Sequence, residues 1–122
     1  MTTTPPPDTL VHCNEVHLIG VVRAEPEVRT LPSGDEIVAL RVAVERAAAD
    51  RRSARSPRSD LFDVTCFSAA TRRTGRSLAD GDLVELRGAM RRNVRRGPGG
   101  VTSRMDLEAR TLSRRSPRRS AG

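Results

Sequence analysis

Residues Asn14 to Arg46 read NEVHLIGVVRAEPEVRTLPSGDEIVALRVAVER, an extended segment, a turn, and a second extended segment. Glu15 to Val22 is rich in β-branched and apolar residues. A period of two puts Val16, Leu18, Gly20 and Val22 on one face of a first strand. Gly20 interrupts that face without a side chain and predicts a bulge or a sharp bend. Pro32-Ser33-Gly34 is a turn signal. Ile37 to Arg46 then alternates, turning Val38, Leu40, Val42 and Val44 toward a core and Ala39, Arg41, Ala43 and Glu45 away from it.

Outward from this stretch the same reading continues. Ala47 to Ser59, AAADRRSARSPRS, breaks the alternation and predicts a long mobile loop. Leu61 to Phe67 alternates again, with Phe62, Val64 and Cys66 inward and Leu61, Asp63, Thr65 and Phe67 outward. Ala69 to Leu78 predicts a short helix weakened by Gly75. Asp80-Gly81-Asp82 is a tight turn into a strand from Leu83 to Arg92, in which Val84, Leu86 and Met90 are expected inside and Glu85, Arg87 and Arg91 outside. Arg95 to Gly100 predicts a flexible basic hairpin tip. Thr102 to Leu112 returns as a last strand with Met105, Leu107 and Ala109 on the core side. The expected fold class is all-β: a five-stranded OB-fold barrel, with one short helix between strands three and four.

At 122 residues the chain holds one domain, placed at 14–112. Residues 1–13 begin with MTTTPPPDT, whose consecutive prolines deny the backbone donors a sheet needs, so a disordered N-terminal arm is expected. Residues 113–122, SRRSPRRSAG, are polar and of low complexity, which predicts a disordered basic tail.

All 22 basic residues are Arg, so lysine chemistry is excluded. The charge is uneven: residues 1–50 carry four Arg against eight acidic groups, and residues 51–122 carry eighteen against seven. A basic second half of this kind favours a polyanionic partner, the plainer alternative being a solvated surface with a basic tail. Cys13 and Cys66 have no CxxC spacing, and no signal-peptide core precedes them, so neither a disulfide framework nor export is suggested and a cytoplasmic location is expected. No apolar run approaches the ~20 residues of a membrane helix.

His12, Cys13, His17 and Cys66 have the chemistry of zinc ligands but match no finger spacing, and Cys66 reads better as a small core residue. Ser68 and His17 sit in no nucleophile motif. Gly97 to Gly100 lacks the lysine and following helix of a phosphate loop. No catalysis, metal, cofactor or small-molecule substrate is expected.

Taken in order, Asn14, the alternation Val16 to Gly20, Pro26-Glu27-Val28-Arg29, Leu31-Pro32-Ser33-Gly34 and Ile37 to Val44 resemble the opening of the bacterial single-stranded DNA-binding proteins. The likeness runs more loosely through Leu61 to Phe67 and Leu78 to Arg92, covering roughly residues 14 to 112. The resemblance implies a non-catalytic protein of DNA replication, repair or recombination that binds single-stranded DNA and self-associates as a tetramer or dimer. It further implies that the loop after Arg46 closes over bound DNA.

Single strands offer phosphates to cations and base faces to flat side chains, each stacked base contributing about 1–3 kcal/mol. Aromatic residues here are limited to Phe62 and Phe67. Alternation turns Phe62 inward, leaving Phe67 as the stacking candidate, or else as an ordinary half-buried strand residue. The family pattern puts Phe67 on one of its aromatic positions and Ala48, Leu61 and Arg95 at or near others. Arg95 has a guanidinium plane that can itself stack. Three missing platforms at the low end of the range remove about 3 kcal/mol, which predicts a weaker and more salt-sensitive binder than the usual family member.

Arg41, Arg87, Arg91, Arg92, Arg95 and Arg96 are the groove candidates. If about six phosphates are neutralised, log affinity falls against log salt with a slope near −4. The sequence ends in Arg-rich residues where typical members carry an acidic tail, which implies a short, divergent paralogue without that recruiting function. Two alternatives remain: an accessory primosome-like or RNA-binding OB protein, and a protein-interaction module with no nucleic-acid activity.

Overall fold

In the computed structural model, which describes residues 11–116, six strands, one 3-10 turn and one helix follow one another. They are β1 (Val16–Val22), β2 (Glu27–Thr30), β3 (Glu36–Glu45), the turn Ala48–Asp50, β4 (Ser59–Cys66), α1 (Ala69–Ser77), β5 (Leu83–Gly97) and β6 (Gly100–Arg114). The expectations placed on residues 1–10 and 117–122 lie outside the described range.

The strand order is β1-β5-β6-β4-β3-β2, and β3 returns to β1 through Val21↔Ala43 and Val22↔Val42. Five strands therefore close into a barrel, while β2 lies outside the ring, paired only with β3. The inward residues of β3, β4 and β5 meet as one core: Val38, Leu40, Val42, Val64, Cys66, Val84 and Leu86, joined by Val22, Leu107 and Ala109. Removing each such Val or Leu from water contributes roughly 1.5–3 kcal/mol. Burial also pushes the Cys66 thiol up to about 11, which keeps it neutral and unreactive.

Ser68 caps α1 by accepting a hydrogen bond from the Thr71 amide at 3.2 Å. Gly75, expected to weaken this helix, is where it rests on the barrel, since a Cβ there would lie 3.1 Å from Val38 Cγ1. Leu78 follows the helix and is buried in the core.

Several expectations are corrected. Met90 and Met105, placed inside by alternation, are 44% and 46% exposed. A register shift lies between Arg87 and Gly88: Arg87 pairs with Thr111 but Gly88 with Ala109, so β6 carries one extra residue, Arg110. Gly88 and Ala89 are both buried at this point, and Met90 keeps the core-side phase opposite the buried Leu107, so its exposure and that of Met105 come from where the strands lie. Beyond Gly88, β5 has left β1, and before Leu107, β6 has not yet reached β4. The two strands then pair only with each other, forming an arm past the barrel where Met105, Val94 and Val101 have no core to enter.

Both arm strands are longer than expected, since regular pairing runs to Gly97↔Gly100 instead of giving way at Arg95. Gly20 produces no bulge in the β1–β5 register, and a Cβ there would run into the Ala43 carbonyl, so it marks where β1 crosses closely onto β3. Pro26-Glu27-Val28-Arg29, to which no strand was assigned, mostly extends into β2. At the other end β6 runs through Ser113 and Arg114, residues expected in a disordered tail. Arg114 Nη2 donates to the Ser77 carbonyl at 2.7 Å, and the Arg115 amide donates to the Leu83 carbonyl at 2.7 Å.

Candidate nucleic-acid interface

Phe67 follows the last residue of β4 on the outward phase of the strand, and its ring is 45% exposed. It borders a cleft of about 240 Å³ whose other walls include Thr65 of β4, Arg91, Arg92 and Asn93 of β5, and Asp106 and Glu108 of β6. The structure therefore brings Phe67, Arg91 and Arg92 of the candidate residues together at the root of the arm. Phe62, the other ring, packs against the core.

The outward face from β3 to β5 is a ladder of alternating charges. Arg41 lies opposite Asp63 in register, with Nε 3.5 Å from Oδ1. Arg104 of β6 reaches the same Asp63 with Nη2 at 2.7 Å and approaches Asp106 Oδ1 with Nε at 3.4 Å. Asn93 Nδ2 donates to Asp106 Oδ2 at 2.7 Å, and Arg91 donates to Glu108 at 2.9 Å. The hydrogen bond to Asp63 and the charges of Asp63 and Asp106 hold the Arg104 guanidinium firmly protonated, raised above its ordinary value.

The remaining candidates separate. Arg92 donates to Ser103 Oγ at 3.1 Å, and Arg95 and Arg96 stand exposed toward the arm's tip. None of these three makes an ion pair among the described residues. Arg87 is not at the cleft. It lies opposite His17 of β1 and Thr111 of β6, beside a cluster in which Glu85 accepts from His17 at 2.6 Å and from Arg115 at 3.1 Å.

Arg104, Asn93, Asp106 and Glu108 were missed as site residues. Alternation places the first and the last two outward, but only the β4–β6 and β5–β6 registers show that they converge on Asp63 and Phe67.

The loop after β3 is clasped at its base. Arg46 donates two hydrogen bonds to Asp60, at 2.9 and 2.7 Å, and its amide donates to the Arg58 carbonyl at 2.7 Å. Ala48, on one of the family's aromatic positions, begins the 3-10 turn, and Leu61, on another, is 54% exposed. Among the described residues no group of three or more His, Cys, Asp or Glu side chains is placed to share a metal ion, and no helix is long and apolar enough to cross a membrane.

Comparison with known proteins places this geometry. The model of the single-strand binding protein family matches residues 13–114. A single-stranded DNA-binding protein of Neisseria meningitidis serogroup A is 31% identical over 88 residues, covering 72% of this chain and 51% of the relative. The single-stranded DNA-binding protein of Deinococcus radiodurans is 31% identical over 77 residues, covering 63% of this chain and 25% of the relative. The chain thus spans about half the length of the Neisseria relative it matches. The structure of a Plasmodium falciparum SSB complex with ssDNA superposes with a TM-score of 0.69 at 18% identity, covering 86% of this chain and 95% of that one, a likeness of fold.

Proposed function

This chain belongs to the single-strand binding protein family, and on that footing we propose that it binds single-stranded DNA, without catalysis, across the outward face of β3, β4, β5 and β6. The carrying observation is the exposed Phe67 ring at a cleft walled by Arg91 and Arg92. An exposed aromatic beside cations supplies both contacts that a single strand offers, a base platform and phosphate neutralisation.

Arg92, Arg95 and Arg96 form the phosphate track along the arm, while Arg41 and Arg91 are already paired to carboxylates and Arg87 lies elsewhere. Three phosphates at about 0.7 each give a salt slope nearer −2 than −4. The protein acts in DNA replication, repair or recombination in the cytoplasm as a homo-oligomer. Self-association is supported by Ile19 and Leu83, apolar residues left 42% and 37% exposed on the barrel wall.

Binding of a fluorescent oligo(dT), a matching duplex and an RNA strand across a salt series tests this reading. A version ending at Ser116 serves as the tail control, because Arg114 and Arg115 are bonded into the barrel. Preference for the single DNA strand, weakened about fivefold or more by Phe67→Ala, is the expected result. Equal binding to all three polymers would mean a generic polycation or an RNA-tolerant accessory protein. No binding at low salt would mean an interaction module.

A further inference from the structure

Arg104 occupies the middle of the charge ladder, opposite Asn93 on β5 and tied to Asp63 on β4. Its N–H donors lie in the plane of the guanidinium. Asp63 at 2.7 Å is met by that edge through Nη2, and Asp106 Oδ1 lies 3.4 Å from Nε as an ion pair without a hydrogen bond. The side chain is nevertheless 62% exposed, so this plane is presented to solvent and not packed away. Two carboxylates on one guanidinium also offset its positive charge locally, making it a poor site for a phosphate and leaving its planar surface as what it can offer.

The chain has only Phe67 as an exposed ring on this face. A strand crossing it therefore needs a second flat surface, and Arg104 lies on β6 two residues from Asp106, a wall of the Phe67 cleft.

We propose that Arg104 is a base-stacking platform, oriented by the positioning residue Asp63 with Asp106 beside it, and that it takes a nucleobase of the bound single strand where other proteins of this kind would use an aromatic ring. This inference rests on the single-stranded DNA reading above. It differs from a phosphate contact in what it requires of the ligand: a base, not a backbone.

The discriminating experiment compares the full chain with Arg104→Lys and Arg104→Trp. Each is titrated with an oligonucleotide and with the same strand made largely abasic, across a salt series, with thermal unfolding recorded for each variant. Lysine keeps the charge and removes the plane. Arg104→Lys is expected to lose about fivefold or more on the normal strand, at an unchanged salt slope, and to bind the abasic strand as wild type does. Arg104→Trp is expected to restore binding of the normal strand. Equal losses on both strands, or a slope reduced by about 0.7, would make Arg104 a phosphate contact and overturn the proposal. Failure of the wild-type protein to bind the normal strand would instead overturn the single-stranded DNA reading, and this inference with it.

Discussion

The side-chain amide of Asn14 exchanges two hydrogen bonds with the main chain of Met90, donating from Nδ2 to the carbonyl at 2.8 Å and accepting from the amide at 3.0 Å. The β1–β5 ladder ends at Val16↔Gly88, so Asn14 continues it by one rung with a side chain in place of a backbone. The rung falls where β5 leaves the barrel and the arm begins.

Asn14→Asp removes the donor and sets a carboxylate against the Met90 carbonyl. It is expected to cost about 1 kcal/mol, read as a lower urea midpoint at unchanged m-value. An unchanged midpoint would mean that this rung is not formed in solution.

Gly88→Ala drives a methyl into the Glu108 carbonyl and to within 3.1 Å of Ala109 Cα. Both are backbone and cannot swing aside, so a loss of about 1–3 kcal/mol is expected. At Gly99 no atom lies within 4 Å of where a Cβ would stand, and Gly99→Ala should stay within about 0.5 kcal/mol of wild type. Equal stability of the two variants would show that the crossing at the bulge is looser than described.

Asp63→Asn removes the carboxylate shared by Arg41 and Arg104. With Arg41 released toward phosphate the slope should steepen by about 0.7, while Arg104, no longer held, should lose its contribution to binding of the normal strand. A slope identical to wild type would show that Arg41 does not reach a phosphate even when released.

The Asp60 carboxyl is held below its ordinary value, first by its hydrogen bonds from Arg46 and then by that residue's charge. A carboxylate whose folded pKa is depressed stabilises the fold above its unfolded pKa, and the contribution disappears as pH falls through the folded one. Asp60→Asn should therefore destabilise at neutral pH, and its effect should vanish once pH is well under the ordinary value of 3.8. A destabilisation that persists undiminished in strong acid would assign the cost to packing instead of to the charge.

The barrel and the half-exposed ring were legible because they depend on short-range periodicity. Val38, Leu40 and Val42 point inward, and Phe67 points outward, wherever their strands pair. Met90 and Met105 were misread because nothing in the residues themselves shows that β5 and β6 run on past the barrel, where the core-side phase meets no core. Glu27 to Thr30 was assigned no strand because an isolated short strand carries little pattern, and its strand character comes from lying beside β3. The charge ladder was out of reach for a different reason. Asp63 and Arg104 are joined only by the parallel register Val64↔Leu107, which sets side by side two residues from distant parts of the chain.

That parallel seam has a consequence for how the molecule is made. β6 is synthesised after the other five strands, and among the described residues it supplies both the only parallel pairing and the long partner of β5. Until Leu107 to Ala109 leave the ribosome, β4 and β5 each present an unsatisfied edge, and the core of Val64 and Leu86 stays open on that side. Ring closure is thus a late, long-range event. Folding should be slow for so small a chain, and nascent chains that stop short of Leu107 should be prone to edge-to-edge aggregation.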